Sequence, residues 1–298
     1  MTRLDPLEAK SRAELREYAA ASKQPRGTLP RGRPKKRPRI LVIDIETSPM
    51  ELLGWKIFDE NFSLDQIKTD WTILSYAAKW LGEKRIYYAD TGGRGRRFVR
   101  SDRKLLKGIR ALLDEADLVV AQNGKKFDVR KINARLVAHD IKPPSPYRVI
   151  DTMLVAKKYF AFTSRKLAYM ADYLKLQKRK DEHPEYPGFK LWLAVLQDIP
   201  AAWRVMKRYN KEDILTTELV YLRQRPWIEN HPNLGAYSTE ERPICPACGS
   251  THMNKDKNRL TVLQQGAYIQ YKCADCGHYA RGKTMKLPLS KRRSMLAG

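Results

Sequence analysis

The sequence predicts a mixed α/β domain followed by a small metal-binding module. Three observations carry that prediction. A basic, proline-punctuated arm changes abruptly near residue 40 into the apolar run ILVIDIET; strand-like and helix-like segments alternate from there to about residue 222; and all four cysteines lie in the last fifth of the chain, as CPAC and CADC. A chain of 298 residues has room for one sizeable core and an appended module.

Residues 1–39 hold twelve Lys or Arg against four Asp or Glu, and four prolines fall between Pro25 and Pro38. This arm, residues 1–38, reads as a short helix near residues 11–21 followed by unpacked chain. The run ILVIDIET then reads as a buried central strand over residues 40–45. TILSYAAKWL (72–81) and RIYYAD (85–90) read as further strands, and TGGRGRRFVR as a basic loop. Helical spacing returns over residues 103–116, strand over 117–123, helix over 128–140, and a short strand over 148–152. Helices are expected over residues 166–174 and 189–222, the latter broken near Pro200. The main domain therefore covers residues 39–223. Pro226, Pro232 and Pro243 mark 224–243 as a linker, 244–282 as a separate module, and 283–298 as a mobile basic tail.

Lys plus Arg number 58 against 33 acids, a formal charge of +25. Enzymes of small neutral metabolites have no need of such a charge, so a polyanionic partner is expected. The 42% hydrophobic content excludes disorder along the whole length. No stretch approaches the roughly 18 uncharged apolar residues of a membrane span, no secretory signal is visible, and the clustered cysteines suit metal in a reducing compartment better than disulfides. No membrane association is expected.

Asp44 and Glu46 stand one residue apart at the end of the first strand, so the two-residue period places both side chains on one face. In NGKKFD a strand ends at Asn123, Gly124 permits a tight turn, and Asp128 opens a helix. In YNKED, Tyr209 and Asp213 stand four apart on one helix face. Singly, each has an ordinary explanation in strand ends, helix capping or polar helix neighbours. Together, Asp44, Glu46, Asp128 and Asp213 offer the oxygen ligands that two Mg2+ or Mn2+ ions need. Asp151, in VIDT, is explained by a helix N-cap, and His139 and His183 by surface or packing positions.

In order and context these three segments resemble the motifs of the DEDD (DnaQ-like) 3′–5′ exonucleases of the ribonuclease H-like superfamily, over about residues 39–222. RKLAYMADYLKL looks like the helix those enzymes place between their second and third motifs. The resemblance implies a ribonuclease H-like mixed sheet flanked by helices. It implies Asp44, Glu46, Asp128 and Asp213 as ligands of two Mg2+ or Mn2+ ions, Asp128 acting through water, and Asn123 as a nucleic-acid contact. Tyr209, four before Asp213, resembles the tyrosine subclass and would orient the attacking water. With an ordinary pKa of about 10, tyrosine is a poor general base, so it positions rather than deprotonates.

Cys245, Cys248, Cys273 and Cys276 form two CxxC pairs, each followed by a glycine, and this pattern calls for one structural Zn2+ in a tetrahedral, closed thiolate site. RLTVL, a QQG turn and AYIQYKC fill the interval as a hairpin, and the whole resembles a zinc ribbon. His252 and His278 lie close but are not needed as ligands. Whether the ribbon grips nucleic acid or protein is left open. PRGRPKK resembles an AT-hook, in which Arg31 and Arg33 enter a narrow minor groove with Lys35 and Lys36 on the phosphates; a generic polybasic arm is the alternative.

The function expected is therefore a metal-dependent 3′–5′ exonuclease on DNA, releasing nucleoside monophosphates in replication, repair or phage genome processing. The arm, the ribbon and the loop with Arg94, Arg96 and Arg97 would hold the substrate. DNA is the expected partner, as single strands, as 3′ ends, and as duplex through the arm; a DNA polymerase or other replication protein is a further candidate. A bacterial or phage-infected cytoplasm is the expected setting. The alternatives are a structure-selective endonuclease or RNA exonuclease of the same fold, and a DNA-binding recruitment protein without catalysis.

Overall fold

The computed structural model describes residues 37–56, 58, 61–92, 101–176 and 184–296. The arm with its proposed helix at 11–21 and with Arg31, Arg33, Lys35 and Lys36, the loop with Arg94, Arg96 and Arg97, and His183 lie outside the described residues. The chain forms two compact units, which among the described residues are 39–221 and, with Arg37 and Pro38, 222–296.

The first unit is built on a five-stranded mixed sheet flanked by helices, as expected. Its strands are β1 (Ile40–Thr47), β4 (Ile73–Trp80), β5 (Ile86–Asp90), β6 (Leu118–Ala121) and β7 (Arg148–Asp151), in the order β5-β4-β1-β6-β7. β4 runs antiparallel to both β1 and β5, whereas β1, β6 and β7 are parallel. β1 is central and buried on both sides, which is why its sequence is a continuous apolar run until the acids.

One face of the sheet is covered by α1 (Arg103–Glu115) and α2 (Asp128–Ala138). Leu105, Leu106, Ile109 and Leu112 of α1 and Ile132 and Leu136 of α2 pack with Leu41, Ile43 and Ile45 of β1 and Tyr76 and Trp80 of β4. The other face takes α6 (Pro200–Gln224), whose Trp203 and Met206 pack with Leu74. Farther along this helix, Lys79 Nζ donates to both oxygens of Glu218, at 2.6 and 2.5 Å, in a pair almost closed to solvent. A buried pair of opposite charges tolerates no slip of the helix along the sheet, because either partner left alone would be a desolvated charge.

Asp102 ties the opposite layer together. Its wholly buried carboxylate accepts Arg135 Nε at 2.7 Å, Arg135 Nη2 at 2.9 Å and the Ile73 amide at 3.0 Å, and lies 2.6 Å from His139 Nε2. Burial by itself raises this carboxyl, but Arg135, the amide and His139 outweigh it and hold it below the usual range. An aspartate held low adds stability above the ordinary value near 4 and loses it as pH falls through the folded-state value. Asp102→Asn is therefore expected to cost about 3 kcal/mol at neutral pH in urea unfolding, since Arg135 is left without its partner, and the deficit should shrink below about pH 4. An unchanged midpoint at neutral pH would show that this network contributes nothing.

Several elements depart from expectation. The helix foreseen over residues 189–222 is two, α5 (Lys190–Leu196) and α6, with the break at Pro200 as expected. The short hairpin of β2 (Glu51–Leu52) and β3 (Ile67–Thr69) was not foreseen, and the helix α3 (Thr152–Tyr159), before α4 (Leu167–Tyr173), was signalled only by the N-cap reading of Asp151. Their apolar residues are too few or too irregularly spaced to show a period. No helix among the described residues is long and apolar enough to cross a membrane.

The second unit carries a three-stranded antiparallel sheet in the order β10-β9-β8. The foreseen hairpin is β8 (Met253–Leu263) and β9 (Gly266–Cys273). β10 (Tyr279–Met285) pairs with β9, and the short helix α7 (Leu289–Arg293) follows, so the segment read as a mobile tail is ordered at its start. Its alternation of exposed and half-buried positions was masked by the basic composition. The segment read as a linker, 224–243, also packs into this unit: Leu234 is buried and its amide donates to the Pro246 carbonyl at 2.8 Å, while the Pro226 carbonyl receives His278 Nδ1 at 2.8 Å.

Candidate active site and cysteine centre

Asp44 and Glu46 project from the end of β1 towards α6. Their neighbours across β4 are Ala77 and Ser75, and the pairing slips between Glu46 and Thr47, where the strand leaves the sheet. From α6 comes Asp213, nearly buried. A carboxylate oxygen from each of Asp44, Glu46 and Asp213 lies within 4.8 Å of the other two. Asp128, the fourth expected ligand, is not in this set. It opens α2, is 2% exposed, and accepts the Ile45 amide at 3.0 Å. Since Ile45 lies between Asp44 and Glu46, the bond fixes Asp128 against the backbone that carries them. Burial pushes its carboxyl up to about 7, with nearby Asp151 adding to the rise and the Ile45 and Asp128 amides opposing it.

Tyr209 stands one helical turn before Asp213, half-buried, with Trp192 of α5 edge-on at 6.3 Å. Burial, then the charges of Asp213, Glu46 and Asp44, raise its hydroxyl well above the ordinary value, and the hydroxyl donates to Asp213. A phenol so placed keeps its proton and serves as a donor.

Asn210 was not foreseen. It is fully buried, its Nδ2 donates to Asp44 Oδ2 at 2.5 Å, and its Oδ1 accepts Ser75 Oγ at 3.2 Å. The amide thus aims one of the three carboxylates and is itself aimed by the sheet. The signal was present in YNKED, where Asn210 precedes Asp213 by three and so shares its helix face. Losing a group that orients a ligand typically costs about 10- to 100-fold in metal affinity or activity. Asn210→Ala should therefore weaken Mg2+ affinity within that range in a calorimetric titration. An unchanged affinity would remove Asn210 from the site.

The turn carrying NGKKFD is held by Asp151. As expected, this residue caps a helix, its Oδ1 accepting the Met153 and Leu154 amides of α3, but it also accepts the Asn123 amide at 3.1 Å and the Lys125 amide at 3.0 Å. Asn123, at φ 60°, takes the left-handed conformation, and its Oδ1 is buried without a hydrogen-bond partner among the described residues. Gly124 is demanded by space, since a Cβ there would lie 2.4 Å from Ala121 Cβ. His139 serves packing, through Asp102.

Three carboxylates this close repel one another unless a cation lies among them, and an all-oxygen set suits Mg2+ or Mn2+ rather than softer metals. The residues present therefore fit a divalent-cation site.

In the second unit the four sulfurs also lie within 4.8 Å of one another, with Cys245 to Cys276 and Cys248 to Cys273 at 3.6 Å. A tetrahedron with Zn–S bonds of about 2.3 Å has edges of about 3.8 Å, whereas a disulfide needs about 2.05 Å. The two knuckles are built alike. Gly249 and Gly277 have φ 76° and 78°, and their amides donate to the Cys245 and Cys273 carbonyls at 2.9 and 3.0 Å. His252 Nδ1 lies 3.0 Å from Asp275, and His278 bonds Pro226, so neither histidine belongs to the sulfur set. The centre fits zinc.

Residues 74–224, half of the chain, match the RNase_H superfamily, and the chain belongs to that superfamily. The fold is accordingly ribonuclease H-like. No curated protein matches the chain. Among solved structures, the chain is similar to the family B DNA polymerase from the hyperthermophilic archaeon Pyrobaculum calidifontis, with 18% identity and a TM-score of 0.44. The match covers 65% of this chain and 26% of the polymerase, so this chain spans about a quarter of that protein's length.

Proposed function

We propose that the protein is a metal-dependent nuclease, a 3′–5′ exonuclease of the tyrosine-bearing DEDD type that hydrolyses phosphodiester bonds of DNA. One observation carries this reading. Carboxylates from β1 and α6, distant along the chain, converge with a proton-bearing tyrosine beside them. A merely DNA-binding protein gains nothing from an acidic cluster that repels phosphates.

The chemistry that two divalent cations would supply here is acidification of the attacking water and compensation of charge on the leaving oxygen. Asp44, Glu46 and Asp213 would hold them, with Asp128 reached through water. The chain's own groups then do the positioning: Asn210 fixes Asp44, the Ile45 amide fixes Asp128, and Tyr209, kept protonated and donating to Asp213, would orient the attacking water with its phenolic oxygen. The domain scheme fits this division of labour. Residues 39–223 carry the chemistry, 244–282 form a zinc ribbon, and the basic arm with its AT-hook-like segment holds duplex DNA.

The test uses end-labelled single-stranded DNA, duplex DNA and RNA with Mg2+ or Mn2+. A ladder shortening from the 3′ end of DNA is expected. Discrete internal products would make the protein an endonuclease, preferential loss of RNA an RNA exonuclease, and no cleavage of any substrate would overturn the nuclease reading.

A further inference from the structure

We propose that the outer surface of α3, α4 and the segment between them is a platform for single-stranded nucleic acid, with bases stacked on an aromatic ladder and phosphates held by flanking lysines. The proposal deepens the nuclease reading by naming the form of the substrate, and rests on that reading only for the link to hydrolysis.

Four rings follow one another on this surface. Phe160 and Phe162 are stacked at 5.1 Å with planes 5° apart; Phe162 meets Tyr173 at 5.2 Å and 60°; Tyr173 lies 6.0 Å from Tyr169 at 27°. Only part of this ladder serves the interior. Phe162 packs against the cluster of Leu167, Met170 and Val220, but Tyr173 is 61% exposed. Residues 157–175 contain five cations and one acid, and Lys157, Lys158, Arg165, Lys166 and Lys175 are all exposed. Aromatic faces set among cations are the chemistry by which single strands are held without sequence preference.

An exposed apolar surface near β2 and β3 makes the contrast. There Trp55, Phe58 and Leu64 are also exposed, but residues 48–72 carry five acids and two lysines, a balance that repels phosphate. A duplex keeps its base faces stacked internally, so the ladder selects unpaired strands.

The platform is fastened to the candidate active site. Asp151 caps α3 and holds the amides of Asn123 and Lys125, and Gln122 Nε2 donates to the Arg165 carbonyl at 2.8 Å while accepting Thr152 Oγ1. The start of α3 and the approach to α4 are thus bonded to the turn that leads into Asp128.

The test is fluorescence anisotropy of the full, zinc-loaded chain with labelled oligodeoxyuridylate and oligouridylate in buffer without added Mg2+ or Mn2+, where binding is read without hydrolysis. Tyr173→Ala should weaken binding about tenfold with an unchanged melting curve, and Tyr173→Phe should restore it. Lys157→Glu with Lys158→Glu should lower affinity and flatten its salt dependence. An abasic strand of equal length should bind the wild type weakly and ignore Tyr173→Ala. Tighter binding of one oligonucleotide in a Tyr173-dependent manner supports the platform and identifies the sugar. If Tyr173→Ala binds both as tightly as the wild type, the platform is overturned even where hydrolysis is intact. A chain that binds through Tyr173 but never cleaves overturns the nuclease reading instead.

Discussion

Asp44→Asn and Asp213→Asn are each expected to lower the metal-dependent rate of phosphodiester cleavage by about three orders of magnitude. The estimate follows from the role of the ligands: cations that offset developing charge contribute several kcal/mol to the transition state, and each 1.36 kcal/mol is a tenfold change. Asparagine keeps the shape of aspartate and loses its charge, so the effect isolates ligand charge from packing. Fold is not at risk. Asp44, Glu46 and Asp213 crowd three negative charges within 4.8 Å, and neutralising one relieves repulsion, so each zinc-loaded variant should melt at or above the wild-type temperature without added Mg2+ or Mn2+. Oligonucleotide affinity in the same buffer should hold steady, because phosphates gain nothing from nearby acids. Single-turnover cleavage, melting and anisotropy check the three parts. Full activity in either variant would end the two-cation account.

Removing zinc, or replacing Cys273 with serine, is expected to unfold residues 222–296 while residues 39–221 keep their melting transition. The apolar cluster around Cys245, Ala247 and Cys273 is completed by Cys248, Cys276 and Met253, so the ligands themselves make up most of that cluster. A unit of this size rarely holds together on so small a core without a staple. Structural zinc contributes about 10–16 kcal/mol at neutral pH, comparable to the whole stability of a small domain, about 5–15 kcal/mol. Released zinc of one ion per chain, together with chelator-induced proteolysis confined to 222–296, would support the assignment. A chain that carries no zinc and resists chelation would refute it.

Much of this molecule was legible in advance because its strongest signals are local. ILVIDIET is apolar without alternation because β1 is central and covered on both faces, and the helix over 103–116 shows its period because one side packs on the sheet. The paired cysteines and their glycines are equally local, since a knuckle is built from adjacent residues. What escaped notice depended on neighbours. The extent of α3, signalled only by its Asp151 cap, is not marked by any apolar period; β10 is defined by pairing with β9 rather than by its own sequence.

From its sequence alone this protein had a strand ending in two acids, a helix pairing Tyr209 with Asp213, a four-cysteine centre and a charge that demands a polyanion. All are properties of spacing and composition, which the chain carries whether or not it is folded. The tertiary structure decided that three of the acids share one volume while Asp128 is bound to the Ile45 amide between two of them, and that Asn210 and Ser75 aim Asp44. It also decided that Phe160 and Phe162, between α3 and α4, line up with Tyr169 and Tyr173 of α4 beside exposed lysines. These facts depend on how helices pack across a sheet, and packing joins residues more than a hundred positions apart whose relation no local pattern encodes.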